Sequence, residues 1–156
     1  MEEARYVEPN DFSIYECEHW RVQHCSDIAI PGYLILEPVI LRQSLSALDI
    51  GAQSSLGQML ILCVRAVEQA VEPERVYTAC FNETNSGVHF HIFPRTHDMN
   101  IFGVRPDIDT IDGPMLLSQV RHKMRAISAS AVAKKEIKER IIALRAFFAN
   151  EAIVGV

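Results

Sequence analysis

The sequence predicts an α+β fold: a five-stranded antiparallel sheet packed by one long helix, with a C-terminal helical extension. Three observations predict it. Short apolar or alternating runs are separated by turn-forming residues, as in hairpins. One long run repeats its apolar positions at steps of three and four, the period of a helix that buries one stripe. Two more helical patterns close the chain with no strand after them. Strands joined by hairpins, with helices apart from them in sequence, argue for an antiparallel sheet with helices on one face.

The elements follow in order. Residues 12–17 and 20–25 read as two strands, broken at Glu18-His19. Pro31-Gly32 is a turn signal. Tyr33-Leu34-Ile35-Leu36 makes a third strand, stopped by Pro38, and its unbroken apolar run predicts burial on both faces. Asp49 is the expected N-cap of the long helix, which should end near Val71, ahead of Glu72-Pro73. Its predicted stripe is Leu56, Met59, Leu60, Cys63, Val64, Val67 and Val71. Residues 76–81 form a fourth strand. Asn82 to Gly87 is a loop, and Val88 to Phe93 a fifth strand ended by Pro94. Residues 98–114 read as loop. Helices are expected over about 114–125 and 131–150, the second packing through Ile137, Ile141, Leu144 and Phe148, with a Glu136–Arg140 pair on its exposed side.

Composition sets the outer limits. The chain has 156 residues, 49% of them apolar, and a net charge of −5. That is enough for one packed domain, too little for a (β/α)₈ barrel of roughly 200 residues or more, and too apolar for disorder. The negative balance argues against a nucleic-acid partner, since phosphate neutralisation needs a basic surface. One local pocket can still oppose the global sign. No unbroken apolar run approaches the roughly 20 residues of a spanning helix, so no membrane partner is expected. The acidic start, Met1-Glu2-Glu3, lacks a signal core, so a cytoplasmic location is expected. Cys17, Cys25, Cys63 and Cys80 show no C-x-x-C spacing, and reduced thiols are expected. Cys17, His19, His24 and Cys25 form a loose group that fits no tight zinc motif. The Asn82-Glu83-Thr84 sequon has no secretory context.

One segment carries chemistry: Gly87-Val88-His89-Phe90-His91-Ile92-Phe93-Pro94-Arg95. On a strand, Val88, Phe90 and Ile92 share one face, while His89 and His91 share the other, roughly 6.5–7 Å apart. Three readings stand side by side. The pair can be two polar residues on a solvated sheet face. It can be a metal pair, which needs further ligands from elsewhere. Or it can be a nucleophile and its helper. A neutral imidazole is a competent nucleophile towards phosphorus, and a second one can donate to a phosphate oxygen as charge builds there. Thr84, Asn85, Ser86 and Gly87 offer hydroxyl, amide and backbone N–H donors to the same phosphate.

The stretch His89-Phe90-His91-Ile92-Phe93 resembles the end of the histidine triad (HIT) signature, His-φ-His-φ-His-φ-φ, where φ is apolar. Pro31-Gly32-Tyr33-Leu34-Ile35-Leu36-Glu37-Pro38 resembles that family's Pro-Gly-His-φ-φ-φ-φ-Pro segment, with the long helix between the two as in the family. The resemblance covers roughly residues 12–97. It divides the chain into a HIT-like unit at 1–110 and a C-terminal helical extension of the same domain at 111–156. It implies a nucleotide hydrolase or nucleotidyl transferase, acting on a phosphoramidate or dinucleoside polyphosphate. His89 would attack the α-phosphate and form a nucleotidyl-histidine intermediate that water hydrolyses; His91 would bind the phosphate. It also implies a nucleotide substrate, a homodimer built on a ten-stranded sheet, and neither cofactor nor metal.

Two positions depart from the family pattern. Its first histidine falls on Gly87, which retains the carbonyl that orients the nucleophile's ring. The histidine of the Pro-Gly-His segment falls on Tyr33, a hydrogen-bond donor that titrates near 10. The ribose position falls near Cys25, with Asp27 as a substitute. Asn82, at the end of the fourth strand, would face the phosphate. Arg95 would pair with a terminal phosphate or serve as a solvated strand-end charge. Other classes kept open are a nucleotide-binding module without turnover and a metal-binding protein using His89 and His91.

Overall fold

In the computed structural model, which describes residues 11–83 and 87–153, five strands and three α-helices are built from this pattern. They are β1 (Ser13–Glu16), β2 (Trp20–His24), β3 (Leu34–Pro38), α1 (Ile50–Val71), β4 (Arg75–Ala79), β5 (Phe90–Arg95), α2 (Gly113–Lys123) and α3 (Ala131–Ile153). The sheet order is β1-β2-β3-β5-β4, and every neighbouring pair is antiparallel. The chain leaves the sheet after β3, crosses it with α1, returns at the edge as β4 and fills the interior with β5. The histidine strand is therefore central.

Local chemistry sets these boundaries. The Asp49 side chain accepts from Ala52 N–H at 2.9 Å, capping α1 as expected. The helix ends at Glu72, which turns left-handed at φ 54° just before Pro73. Gly32 sits at φ +82°, and a Cβ there would come within 2.2 Å of a Val71 methyl. Only glycine fits this turn, which delivers the chain into β3.

The stripe of α1 is centred on Ala52, Met59, Leu62, Cys63, Ala66 and Val67, and the expected Leu56, Leu60, Val64 and Val71 flank it, partly buried. The shift is a rotation of the buried face by part of a turn, which packing against both sheet and α3 imposes. Buried Cys63 behaves as a small hydrophobe, its thiol pushed up to about 12 by burial. Trp20, fully buried on β2, donates its indole N–H to Ser55 Oγ of α1 at 3.0 Å. By length and composition α1 could cross a bilayer, which a search for unbroken apolar runs misses. Here its central stripe packs in the core, while Ile50 and Ile61 are exposed. α3 joins the same layer through Ile137, Ile141, Leu144 and Phe148, all buried as predicted. Phe148 stacks on Tyr15, and Arg65 of α1 pairs with Glu151 at 3.1 Å. The i,i+4 pair on its exposed side is Lys135–Glu139 at 3.9 Å, rather than the expected Glu136–Arg140.

Two expectations are corrected. Helices do not cover one face alone: a second apolar cluster joins Tyr33 and Phe93 to Leu116, Leu117 and Val120 of α2 and to Met99 of the 3-10 segment at 97–103. Those 3-10 turns occupy part of what reads as loop. The fifth strand also does not stop at Pro94. It begins at Phe90 and runs through Pro94 to Arg95. β3 pairs only as far as Leu34↔Ile92, so beyond it proline lies on a strand with a single neighbour, β4, where it is tolerated. The remaining strands differ from their expected ends by one or two residues.

Candidate active site

β5 alternates as its sequence requires. Val88, Phe90 and Ile92 enter the core beneath α1, while His89 and His91 project to the opposite face. Their ring centroids lie 4.9 Å apart with planes at 74°. That face lines a partly open cavity of about 200 Å³, walled by both histidines with Gln23, Cys25, Glu37 and Arg121 among others. His91 is only 5% exposed, and the reading of a solvated sheet face is thereby set aside.

Each histidine is held by one nitrogen. His89 Nδ1 lies 2.8 Å from the carbonyl oxygen of Gly87. A carbonyl can only accept, so in the neutral ring Nδ1 carries the proton and Nε2 keeps its lone pair. His91 Nδ1 lies 2.8 Å from the Tyr33 hydroxyl. Burial pushes the Tyr33 phenol well above its usual range, so it keeps its proton and can donate it to Nδ1. Burial, then the charges of Arg121 and His89, lowers His91 to about 4. The ring is neutral at pH 7, and with Tyr33 as the donor its own proton sits on Nε2, free to be donated. One imidazole thus presents a lone pair and its neighbour an N–H.

With its hydroxyl on His91 Nδ1, Tyr33 is placed to act as a tautomer lock. Tyr33→Phe keeps the ring, which packs edge-on against Phe93, and removes only the hydroxyl. We expect a loss of about 1 kcal/mol in stability and a mixture of His91 tautomers, read from the ring ¹⁵N shifts by NMR.

Gly87 is confined. Its φ is +74°, and a Cβ would lie 2.4 Å from the Arg42 carbonyl oxygen and 2.7 Å from Leu41 Cδ1. The same carbonyl accepts from Val88 N–H at 2.7 Å, fixing the approach to β5. Asn82, also left-handed at φ 57°, turns its amide oxygen onto the His89 backbone N–H (3.4 Å) and the Cys80 thiol (3.1 Å). It stands at the site as a brace of the histidine strand. Thr84, Asn85 and Ser86 lie outside the described residues.

The other sequence candidates divide. Asp27 and Cys25 both line the cavity, Asp27 at its exposed rim. Arg95 shares the histidine face but lies outside the cavity lining. Its guanidinium donates to Asn100 at 2.6 Å and pairs with Glu74 at 3.4 Å, so it ties the end of β5 to the 3-10 segment. His97 and His122 are at the surface. Among the described residues no group of three or more His, Cys, Asp or Glu side chains is placed to share a metal.

His24 has a structural task. Its Nε2 accepts from Gly32 N–H at 3.0 Å, so its Nδ1–H donates to the Cys25 carbonyl at 2.9 Å. It pins the turn that delivers Tyr33. Burial lowers its pKa to about 4. The unfolded imidazole binds a proton below about 6.5. As pH falls the unfolded chain is protonated first, so stability is lost between about pH 6.5 and pH 4 and not further below. His24 alone accounts for roughly 3 kcal/mol across that window, and His91 adds with the same sign. Urea midpoints at about pH 7 and pH 4.5 measure it.

Sequence reasoning missed three contributors. Glu37 follows Leu36 in β3, two residues along from Ile35, which pairs with His91. It accepts from Gln23 at 2.8 Å and pairs with Arg21 at 3.6 Å. Burial raises its pKa against the pull of Arg21. Its signal was visible: a carboxylate at a motif position that is otherwise apolar. Arg121, in the last turn of α2, and Arg125, just past the helix, also line the cavity. Their i,i+4 spacing was visible too, but not the face they would meet.

No protein-family model and no curated protein matches the sequence. Solved structures do match. A Zn-bound histidine triad family protein from Mycobacterium smegmatis aligns at TM-score 0.60 and 15% identity over 94% of this chain and 90% of its own. A Hit-like protein involved in cell-cycle regulation from Bartonella henselae aligns at TM-score 0.57 and 19% identity, over 90% and 88%. The diadenosine triphosphate hydrolase of Plasmodium falciparum aligns at TM-score 0.52 and 12% identity, over 77% and 80%. The chain has the histidine triad fold.

Proposed function

We propose that this chain is a histidine triad-type nucleotide hydrolase or nucleotidyl transferase, acting at an α-phosphate through a nucleotidyl-histidine. The observation that carries the reading is the Gly87 carbonyl on His89 Nδ1, which leaves Nε2 with its lone pair at the wall of the cavity. In the first step Nε2 bonds to phosphorus as the bond to the leaving group breaks. In the second, water attacks the same phosphorus and gives up a proton to solvent, the P–N bond breaks and the imidazole lone pair is restored; the leaving group of the first step takes any proton it needs from solvent. His91 Nε2–H donates to a non-bridging oxygen in both steps, where charge develops. The likeness in fold to a diadenosine triphosphate hydrolase supports the substrate class. Phosphoramidates and dinucleoside polyphosphates are both within it. Asp27 and Glu37 offer carboxylates to the ribose hydroxyls.

We extend the reading to a cytoplasmic homodimer. Arg145 of α3 donates to the β1 carbonyl of Ser13, so that edge is already covered. β4 is the edge left for a second copy, and sedimentation is the direct check.

The decisive experiment is intact mass after brief incubation with diadenosine tetraphosphate or adenosine 5′-phosphoramidate, with and without EDTA, followed by peptide mapping. We expect a nucleotidyl adduct on His89, insensitive to the chelator. Retained nucleotide without adduct or turnover would instead favour a binding module. That reading draws on one observation, the absence of a side chain at Gly87 to protonate a leaving group.

A further inference from the structure

Resting on the proposed reaction, we propose that Arg121 and Arg125 form a seat for the phosphates beyond the one attacked, so that the chain favours substrates with a polyphosphate leaving group. The two side chains line the wall of the histidine cavity. Both also line a second groove of about 510 Å³, with Phe81, Pro114, Leu117, Ser118 and His122. They are the residues the two spaces share. A ligand attacked at His89 that extends past them must pass the pair of guanidiniums.

Three features fit an anionic chain. First, neither arginine has a carboxylate partner among the described residues, unlike Arg21, Arg65, Arg95 and Arg105. The Nε of Arg121 is buried with no hydrogen-bond partner at all. A buried unsatisfied donor on a cation is costly, and a phosphate oxygen would satisfy it. Second, the carboxylates are zoned. Glu37 and Asp27 line the histidine cavity, and none lines the outer groove. Third, Arg121 stands in the last turn of α2 and Arg125 just past its end, in the extended backbone that starts the next 3-10 turn, so cations from two consecutive segments line the same space. Two cations side by side suit charge spread along linked phosphates better than one phosphoryl group. Arg121 also acts at the reacting centre: its charge is felt by His91, Tyr33 and Cys25 alike. A chain of net charge −5 would hold few such places.

Inorganic tripolyphosphate is the direct probe. Isothermal titration of the wild-type chain is expected to show binding, weakened at least about tenfold by Arg121→Gln and Arg125→Gln together and reduced by salt. Arg125 is exposed, so Arg125→Gln alone gives a second variant with little folding risk. Kinetics then compare diadenosine tetraphosphate with adenosine 5′-phosphoramidate. The double variant should lower kcat/KM for the first at least about tenfold more than for the second. Wild-type protein that fails to bind tripolyphosphate, or an equal loss on both substrates, would overturn the seat. If neither substrate turns over and no adduct forms, the proposed reaction falls, and the titration alone still decides whether the arginines bind polyphosphate.

Discussion

His89→Gln is expected to lower turnover by on the order of 10³-fold or more and to abolish the nucleotidyl adduct. The size follows from what the residue supplies. In the proposed reaction His89 provides the electron pair that bonds to phosphorus, and glutamine has no equivalent. His91 provides one donor to a charge that develops on oxygen, and loss of one such donor costs about 10²–10³-fold. His91→Gln should therefore slow adduct formation without abolishing it. Glutamine at 89 retains an amide N–H that can reach the Gly87 carbonyl, and His89 is half-buried at the cavity wall, so stability should change little. Rapid-quench adduct kinetics separate the two variants. Equal, modest losses in both would mean that neither imidazole is the nucleophile.

The strand that carries this chemistry was the most legible part of the chain, because a period of two is a local property. Val88, Phe90 and Ile92 had to share a face, so His89 and His91 had to share the other. The Asp49 cap, the Pro31-Gly32 turn and the buried stripe of α3 were legible for the same reason. What the sequence hid was long-range. All six residues of β5 are buried, because α2 closes the second face through Phe93 and Tyr33. That closure is made by an eleven-residue helix, far along the chain, whose short stripe of Leu116, Leu117 and Val120 could have met any apolar surface. It turned an open face into a cavity and brought Arg121 and Arg125 over the histidines. Arg95 reads as a strand-end charge near the site, yet Glu74 and Asn100 take it up, and only the fold brings those partners together.

Gly87→His, which would complete the His-φ-His-φ-His pattern that the sequence resembles, is expected to destabilise the chain by about 2–5 kcal/mol and to lower activity. Two costs combine. An L-residue in the left-handed region costs roughly 1–2 kcal/mol, and Gly87 holds φ +74°. The new Cβ would also lie 2.4 Å from the Arg42 carbonyl oxygen, and relieving an overlap with backbone costs about 1–3 kcal/mol more. The Arg42 carbonyl cannot simply move away, because it accepts from Val88 N–H at 2.7 Å. Shifting residue 87 instead would move the carbonyl that holds His89 Nδ1. Either adjustment disturbs the nucleophile that the added imidazole was meant to assist. Gly87→Ala separates the two effects, since it adds the Cβ and no imidazole. Both variants should melt earlier and both should turn over more slowly, by thermal unfolding and adduct kinetics. If Gly87→His were instead more active than wild type, the glycine would be a lost catalytic group. The expected result makes it a requirement of this backbone: a position whose carbonyl does the orienting and where the fold leaves no room for a side chain.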